Sequence, residues 1–209
     1  MALFFLLPSL HSCSNPGRVG REFSPERVGR RVIENLLARP DLMIYSTPEA
    51  HGIHYAEVCA GFGAVQLAGA LKDTALLERL AQRYDVERTG TIPNSANHVD
   101  VNVYGILPLE LYRAGMGEAF REQGLRYADG QWKDPLPDGT TRQARYWIDD
   151  IWMFSSLQVQ AYRVTGNPEY LHRTAKVVTA YLEKLQQPNG LFYHGPEGPF
   201  FWGRGNGWV

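Results

Sequence analysis

From Pro25 onward, hydrophobic positions recur three and four residues apart, the period of helices that bury one face. Ser24-Pro25-Glu26 supplies a capping residue and a proline at the first helical position, which predicts a helix to about Ala38. Two kinds of segment then alternate. Val58 to about Leu71, Asp100 to Arg113 and Trp147 to Arg163 are apolar almost all round, the pattern of helices buried on every side. Ala75 to Tyr84, Glu118 to Tyr127 and Glu169 to Leu185 are amphipathic, with one polar face. Tight turns join the pairs: Lys72-Asp73-Thr74, Gly115-Met116-Gly117 and Thr165-Gly166-Asn167-Pro168, the last giving helix stop, cap and proline in order. Strand signals are weak, and Leu191 to His194 reads as at most a short extended piece.

The chain is therefore a repeat of helical hairpins. Its turns at Asp73, Gly115 and Gly166 lie 42 and 51 residues apart, a spacing typical of such arrays. An open solenoid and a closed ring with the apolar helices inside both fit. The long polar segments 86–99 and 128–146 favour the ring, because long loops gathered on one rim are where a site is built. The expected fold is all-α, an (α/α)6 toroid. About seven helices are countable, against the twelve of six hairpins, and Gly203 to Val209 reads as the beginning of one more. The expectation is a partial toroid over residues 25–209, the N-terminal part of a longer protein.

Composition narrows the function. The 209 residues carry 21 basic and 22 acidic side chains, a net charge of −1, which provides no field for holding a polyphosphate backbone. Nucleic acid is not an expected partner. Two cysteines, Cys13 and Cys59, make neither a disulfide framework nor a metal cluster, and nothing calls for a cofactor. The first ten residues form an apolar run of signal-peptide length, too short to span a bilayer, and Leu10-His11-Ser12-Cys13 loosely resembles a lipoprotein cleavage box. Residues 1–24 are thus expected to be a leader and linker; export with lipidation at Cys13 and a cytoplasmic chain both stay open. No later segment is apolar enough to cross a membrane.

All five tryptophans lie at or beyond position 132, so an aromatic-lined site belongs to the C-terminal part. Tyr146-Trp-Ile-Asp-Asp-Ile-Trp-Met153 places Asp149 and Asp150 at the start of an apolar, aromatic helix. Adjacent helical residues point about 100° apart, so only one of them faces a given site. The other fits a helix cap. A carboxylate among tryptophans is desolvated, which favours the protonated form a general acid needs. Asp100 opens another apolar helix, in His98-Val-Asp-Val-Asn102, and in a ring it faces Asp149 across the axis; helix capping is its plainer role. His98 reads as a loop surface residue. In Trp202-Gly-Arg-Gly-Asn-Gly-Trp208, glycines allow close approach of backbone, Arg204 offers a planar fork for a carboxylate, and two indoles offer faces for sugar C–H groups. His194 lies eight residues upstream and points to the same rim.

Together, Trp147–Met153, Gly190–His194 and Trp202–Trp208 resemble glycoside hydrolase family 105, the unsaturated rhamnogalacturonyl hydrolases, and share much with the related family 88 unsaturated glucuronyl hydrolases. The resemblance runs from about residue 25 to the end. It implies an (α/α)6 barrel, Asp149 as general acid/base, Asp100 as its partner carboxylate, and His194, Trp202, Arg204 and Trp208 as substrate-binding residues, with Tyr55 as a stacking residue. Where the family often has a histidine on the loop before the acid, this chain has Arg142, Gln143 and Arg145. The implied substrate is a small oligosaccharide with an unsaturated uronic acid at its non-reducing end, more readily galacturonyl-rhamnose than a glucuronyl sugar. Asp149 would protonate C4 of the enol ether, with neither a metal nor a nucleophilic side chain.

Two other classes remain open. A polysaccharide lyase or sugar epimerase on the same toroid would need a Tyr or His base, or paired axial histidines, which the six histidines do not form. A helical-repeat binding module would not call for acids at two inner-helix mouths beside clustered tryptophans. Seven helices would leave apolar inner faces uncovered, so an inactive, self-associating chain is a further expectation.

Overall fold

The computed structural model describes residues 23–86, 89–90 and 97–209. The expected leader with Cys13 lies outside the described residues, as does most of the 86–99 loop. Helices follow the hairpin pattern: α1 (Pro25–Leu37), α2 (Tyr55–Ala70), α3 (Thr74–Tyr84), α4 (Val99–Asn102), α5 (Ile106–Arg113), α6 (Glu118–Gly130), α7 (Ile148–Thr165), α8 (Glu169–Leu185) and the short α9 (Gly203–Asn206). The architecture is all-α and toroidal. α2, α4–α5 and α7 pack side by side as the inner wall, with α3, α6 and α8 returning outside them. Among the described residues no helix is long and apolar enough to cross a membrane.

The caps follow from the sequence. The Ser24 hydroxyl accepts from the Arg27 N–H at 3.3 Å, and Asp73 accepts from the Leu76 N–H at 3.0 Å. Gly166 ends α7 in the left-handed conformation, φ 71°, and Asn167 accepts from the Glu169 N–H at 3.0 Å. The second inner helix is less regular than its apolar run suggests. A 3-10 turn at Val103–Gly105 separates α4 from α5. Pro108 has no N–H to bond the Tyr104 carbonyl four residues back, so the helix tightens there.

Two elements differ from the sequence reading. α2 begins at Tyr55, three residues before the expected Val58, because the His54 ring caps it, with Nδ1 accepting from the Ala56 N–H at 3.1 Å. Ahead of it, an antiparallel hairpin pairs β1 (Ile44–Ser46) with β2 (His51–Ile53), in the register Ile44 to Ile53 and Tyr45 to Gly52. Thr47 to Ala50 closes its turn, with the Thr47 N–H donating to the Ala50 carbonyl at 2.8 Å. Three-residue strands are too short for alternation to reveal. The hairpin packs on α4 and brings Tyr45 against His98, ring centroids 6.2 Å apart.

Candidate active site

At one end of the inner wall α7 packs against α4 and α9, and Tyr55 at the mouth of α2 reaches Arg204 and Trp152. The cap of α4 is His98, whose Nδ1 accepts from the Asp100 N–H at 3.3 Å, so the Asp100 side chain is not the cap. At α7 the N-cap residue is Trp147, and Asp150, three residues on, closes a capping box with it. The Asp150 N–H donates to the Trp147 carbonyl at 2.9 Å and its carboxylate accepts from the Trp147 N–H at 3.3 Å. This separates the two neighbouring acids. Asp150 is completely buried under the helix end. Asp149 turns to the rim with its side chain 16% exposed, Oδ1 3.5 Å from Arg204 Nη1 and Oδ2 3.8 Å from His194 Nδ1.

Around Asp149 the side chains form an aromatic basket. Arg204 lies over the Trp202 ring at 4.0 Å and donates from Nη1 to the Tyr55 hydroxyl at 3.2 Å. Tyr55 meets Trp152 and Trp208 edge-on, and those two indoles lie 5.0 Å apart. His194 stacks on Phe200 and meets Trp202 edge-on at 5.4 Å. The structure thus brings Asp149, His194, Trp202, Arg204, Trp208 and Tyr55 into one cluster. Its polar edge is under-used: His194 Nδ1 and the indole N–H groups of Trp202 and Trp208 are buried with no hydrogen-bond partner among the described residues. Gly205 leaves no room for a side chain unless Trp202 moves, since a Cβ would lie 2.1 Å from Trp202 Nε1.

Asp100 sits at the same mouth in different company. Rather than opposing Asp149 directly, it takes a bidentate pair from Arg145, Nη1 to Oδ2 at 2.6 Å and Nη2 to Oδ1 at 3.3 Å. His98 Nδ1 stands 3.4 Å from Asp100 Oδ2. Tyr45 is half-buried at this side, and burial, then the Asp100 charge, pushes its hydroxyl above the usual tyrosine range. Arg145 continues to Asp150, with Nε at 3.1 Å and Nη2 at 2.6 Å from Oδ1. Burial works against the charge on Arg145, but Asp150 and Asp100 outweigh it and hold the guanidinium above its ordinary value. Burial pushes the Asp150 carboxyl up from its ordinary value, with Arg145 and Tyr181 pulling the other way.

Arg145 and Tyr181 are the residues the sequence reading passed over. Arg145 was visible only as a departure from a family pattern, and Tyr181 is one apolar-face position of an outer helix. His98 is no free loop residue: it caps α4, stacks on Tyr45, and burial lowers its pKa.

The family profile described as Glycosyl Hydrolase Family 88 matches residues 30–209. No curated protein matches the chain. Among solved structures, the crystal structure of the Lin0763 protein from Listeria innocua is similar in fold, with a TM-score of 0.53 and 16% identity. That likeness covers 67% of this chain and 48% of the other, so the chain spans about half the length of this relative.

Proposed function

The chain belongs to glycosyl hydrolase family 88, and from that premise we propose that it removes a 4,5-unsaturated uronic acid from the non-reducing end of lyase-generated oligosaccharides. The observation that carries the proposal is the setting of Asp149, an acid at a helix mouth facing one arginine, one histidine and a tryptophan-lined wall. Arg204 is half exposed, its nearest anion 3.5 Å away, and offers its fork to the substrate carboxylate. Tyr55, Trp152 and Trp208 supply ring faces and edges for the sugar. His194, its side chain 26% exposed beside Asp149, offers its outer ring nitrogen to a sugar hydroxyl. The three-motif resemblance supports unsaturated galacturonyl-rhamnose as the preferred substrate.

Two arginines face three carboxylates at this rim, and Arg145 is fully engaged by Asp100 and Asp150. Asp149 is the acid left to carry a transferable proton. It delivers that proton to C4 of the enol ether, and positive charge develops at C5 and the ring oxygen. A water adds at C5 while the Asp149 carboxylate takes up one of its protons. The hemiketal at C5 opens to a ketone, and the hemiacetal left at C1 releases the neighbouring sugar as an alcohol. No side chain attacks the anomeric carbon, so the nucleophile of a retaining glycosidase has no part here.

The test follows the ultraviolet absorbance of the conjugated double bond during incubation with unsaturated galacturonyl-rhamnose and, in parallel, an unsaturated glucuronyl disaccharide. Loss of absorbance is expected on the first, and Asp149→Asn is expected to slow it about 10²–10⁴-fold. Faster turnover of the glucuronyl substrate would move the specificity. No loss on either would overturn the proposal.

A further inference from the structure

The segment that delivers Asp149 to the rim is fastened residue by residue. The Arg145 and Trp147 N–H groups both donate to Asp150 Oδ2, at 3.1 and 3.3 Å. Between them, the Tyr146 N–H donates to the Tyr181 hydroxyl at 3.1 Å, and that hydroxyl donates to the same Asp150 oxygen at 2.7 Å. The Ile148 N–H donates to the His194 carbonyl at 2.8 Å. Four consecutive backbone donors are thereby used, with the non-glycine Tyr146 in the left-handed region at φ 59°. A conformation that side chains rarely adopt persists only where its surroundings over-determine it. Here the determinants are one buried carboxylate, one buried phenol and one guanidinium, and the guanidinium continues to Asp100 on the neighbouring inner helix.

We infer that Arg145, Asp150 and Tyr181 are positioning residues that hold the mouth of α7, and with it Asp149, at a set distance from Asp100 and His194. The polar atoms of all three are turned to one another and to Asp100, and the Arg145 guanidinium lies over the Trp147 ring at 4.5 Å. Arg145 has its Nε, Nη1 and Nη2 on carboxylates, and Asp150 and Tyr181 lie wholly inside. They therefore act on the placing of the acid and not on the capture of the sugar. Reactions of this kind are sensitive to placement: a shift of about 1 Å at the reacting group costs up to about 10²-fold. This inference rests on the reading of Asp149 as the acid.

The experiment compares the unaltered chain with Tyr181→Phe, which removes one hydroxyl at constant shape, and Arg145→Lys, which keeps the charge but cannot grip two carboxylates. Two readouts are taken: kcat and KM on the disaccharide that the unaltered chain turns over best, and amide hydrogen exchange along the chain. Expected are a fall in kcat of about 10-fold or more with KM within about twofold, and faster exchange confined to residues 145–148. Unchanged exchange at 145–148 would overturn the inference, as would an unchanged kcat, or loosening spread evenly through α7 and α8. If the unaltered chain turns over neither disaccharide, the functional reading fails and the exchange pattern alone decides whether the fastening exists.

Discussion

Two buried carboxylates in this protein are served by the same residue types and do different things. Glu57, on inner helix α2, accepts from Arg83 at 3.2 and 3.0 Å, from the Tyr84 hydroxyl at 3.0 Å and from the Met43 N–H at 3.3 Å. Asp150, on inner helix α7, accepts from Arg145, Tyr181 and two backbone N–H groups. The contrast lies in where each arginine sends its remaining donors. Arg83 ends on the carbonyls of Arg39 and Asp41 and pins the segment between α1 and the hairpin. Arg145 ends on a second acid at the rim. A buried Arg–carboxylate–Tyr knot is therefore no sign of a site; what its free donors reach decides whether it fastens a loop or aims a side chain.

Breaking each knot at its carboxylate separates the two roles most sharply. Glu57→Ala leaves the buried Arg83 guanidinium without its carboxylate, and Asp150→Ala strips the Arg145 and Trp147 N–H groups and the Tyr181 hydroxyl of their acceptor while Arg145 keeps Asp100; each is expected to cost about 3–5 kcal/mol in chemical denaturation. At a temperature where both variants stay folded, Glu57→Ala should keep the parental kcat and Asp150→Ala should not. Equal kcat values in the two would erase the distinction. Overpacking the knots comes next. A Cβ at Gly61 would lie 2.7 Å from the Tyr84 hydroxyl, and one at Gly205 would lie 2.8 Å from Ile148 Cγ2 as well as against Trp202. Each Gly→Ala change is expected to cost about 1–3 kcal/mol. Only Gly205→Ala should also weaken disaccharide binding, because the side chain that must move belongs to the rim.

The phenols give a smaller and more diagnostic difference. The Tyr84 hydroxyl donates to Glu57, whereas the Tyr181 hydroxyl both donates to Asp150 and accepts from the Tyr146 N–H. Tyr84→Phe is expected to cost about 1 kcal/mol and Tyr181→Phe about 2, at roughly 1 kcal/mol per buried hydrogen bond lost. Thermal melts of the pair measure this directly, and equal losses would mean that the second bond of Tyr181 contributes nothing.

How much of this is legible in the sequence follows from range. The hairpin repeat is, since its signals are local: apolar runs, Asp73 and Ser24 as caps, Gly166 as a stop. The division of labour between Asp149 and Asp150 is legible only in part. Helical geometry says the two point apart, but that Asp150 is the buried one depends on Tyr181, 31 residues away on an outer helix. Arg145 gives no local signal at all, because its role is set by the gap between two helices. The hairpin escapes notice for the opposite reason, being too short to show a period, and with it goes Tyr45. The aromatic basket is the best-anticipated part of the rim, as Trp202, Arg204 and Trp208 sit in one seven-residue stretch that only needs Tyr55 and Trp152 brought beneath it.

The smallest expected effect also falls on one knot and not the other. His98 caps α4 through Nδ1, which must be unprotonated to accept the Asp100 N–H. Burial lowers the His98 pKa below its ordinary 6.5, and Arg145 acts in the same direction, while Asp100, Asp150 and Glu49 oppose them. The unfolded chain therefore takes up this proton first as pH falls. The stability His98 contributes is complete above about pH 6.5 and is lost as pH falls through the lowered folded value, amounting to about 1 kcal/mol or less, the worth of a helix cap. His98→Asn keeps an acceptor at the cap and removes the titration, so the slope of stability against pH in this window should flatten. Glu57→Ala should leave that slope as it was, because nothing in its knot touches His98. A slope that survives His98→Asn would place the titrating group elsewhere and sever the α4 mouth from the pH response.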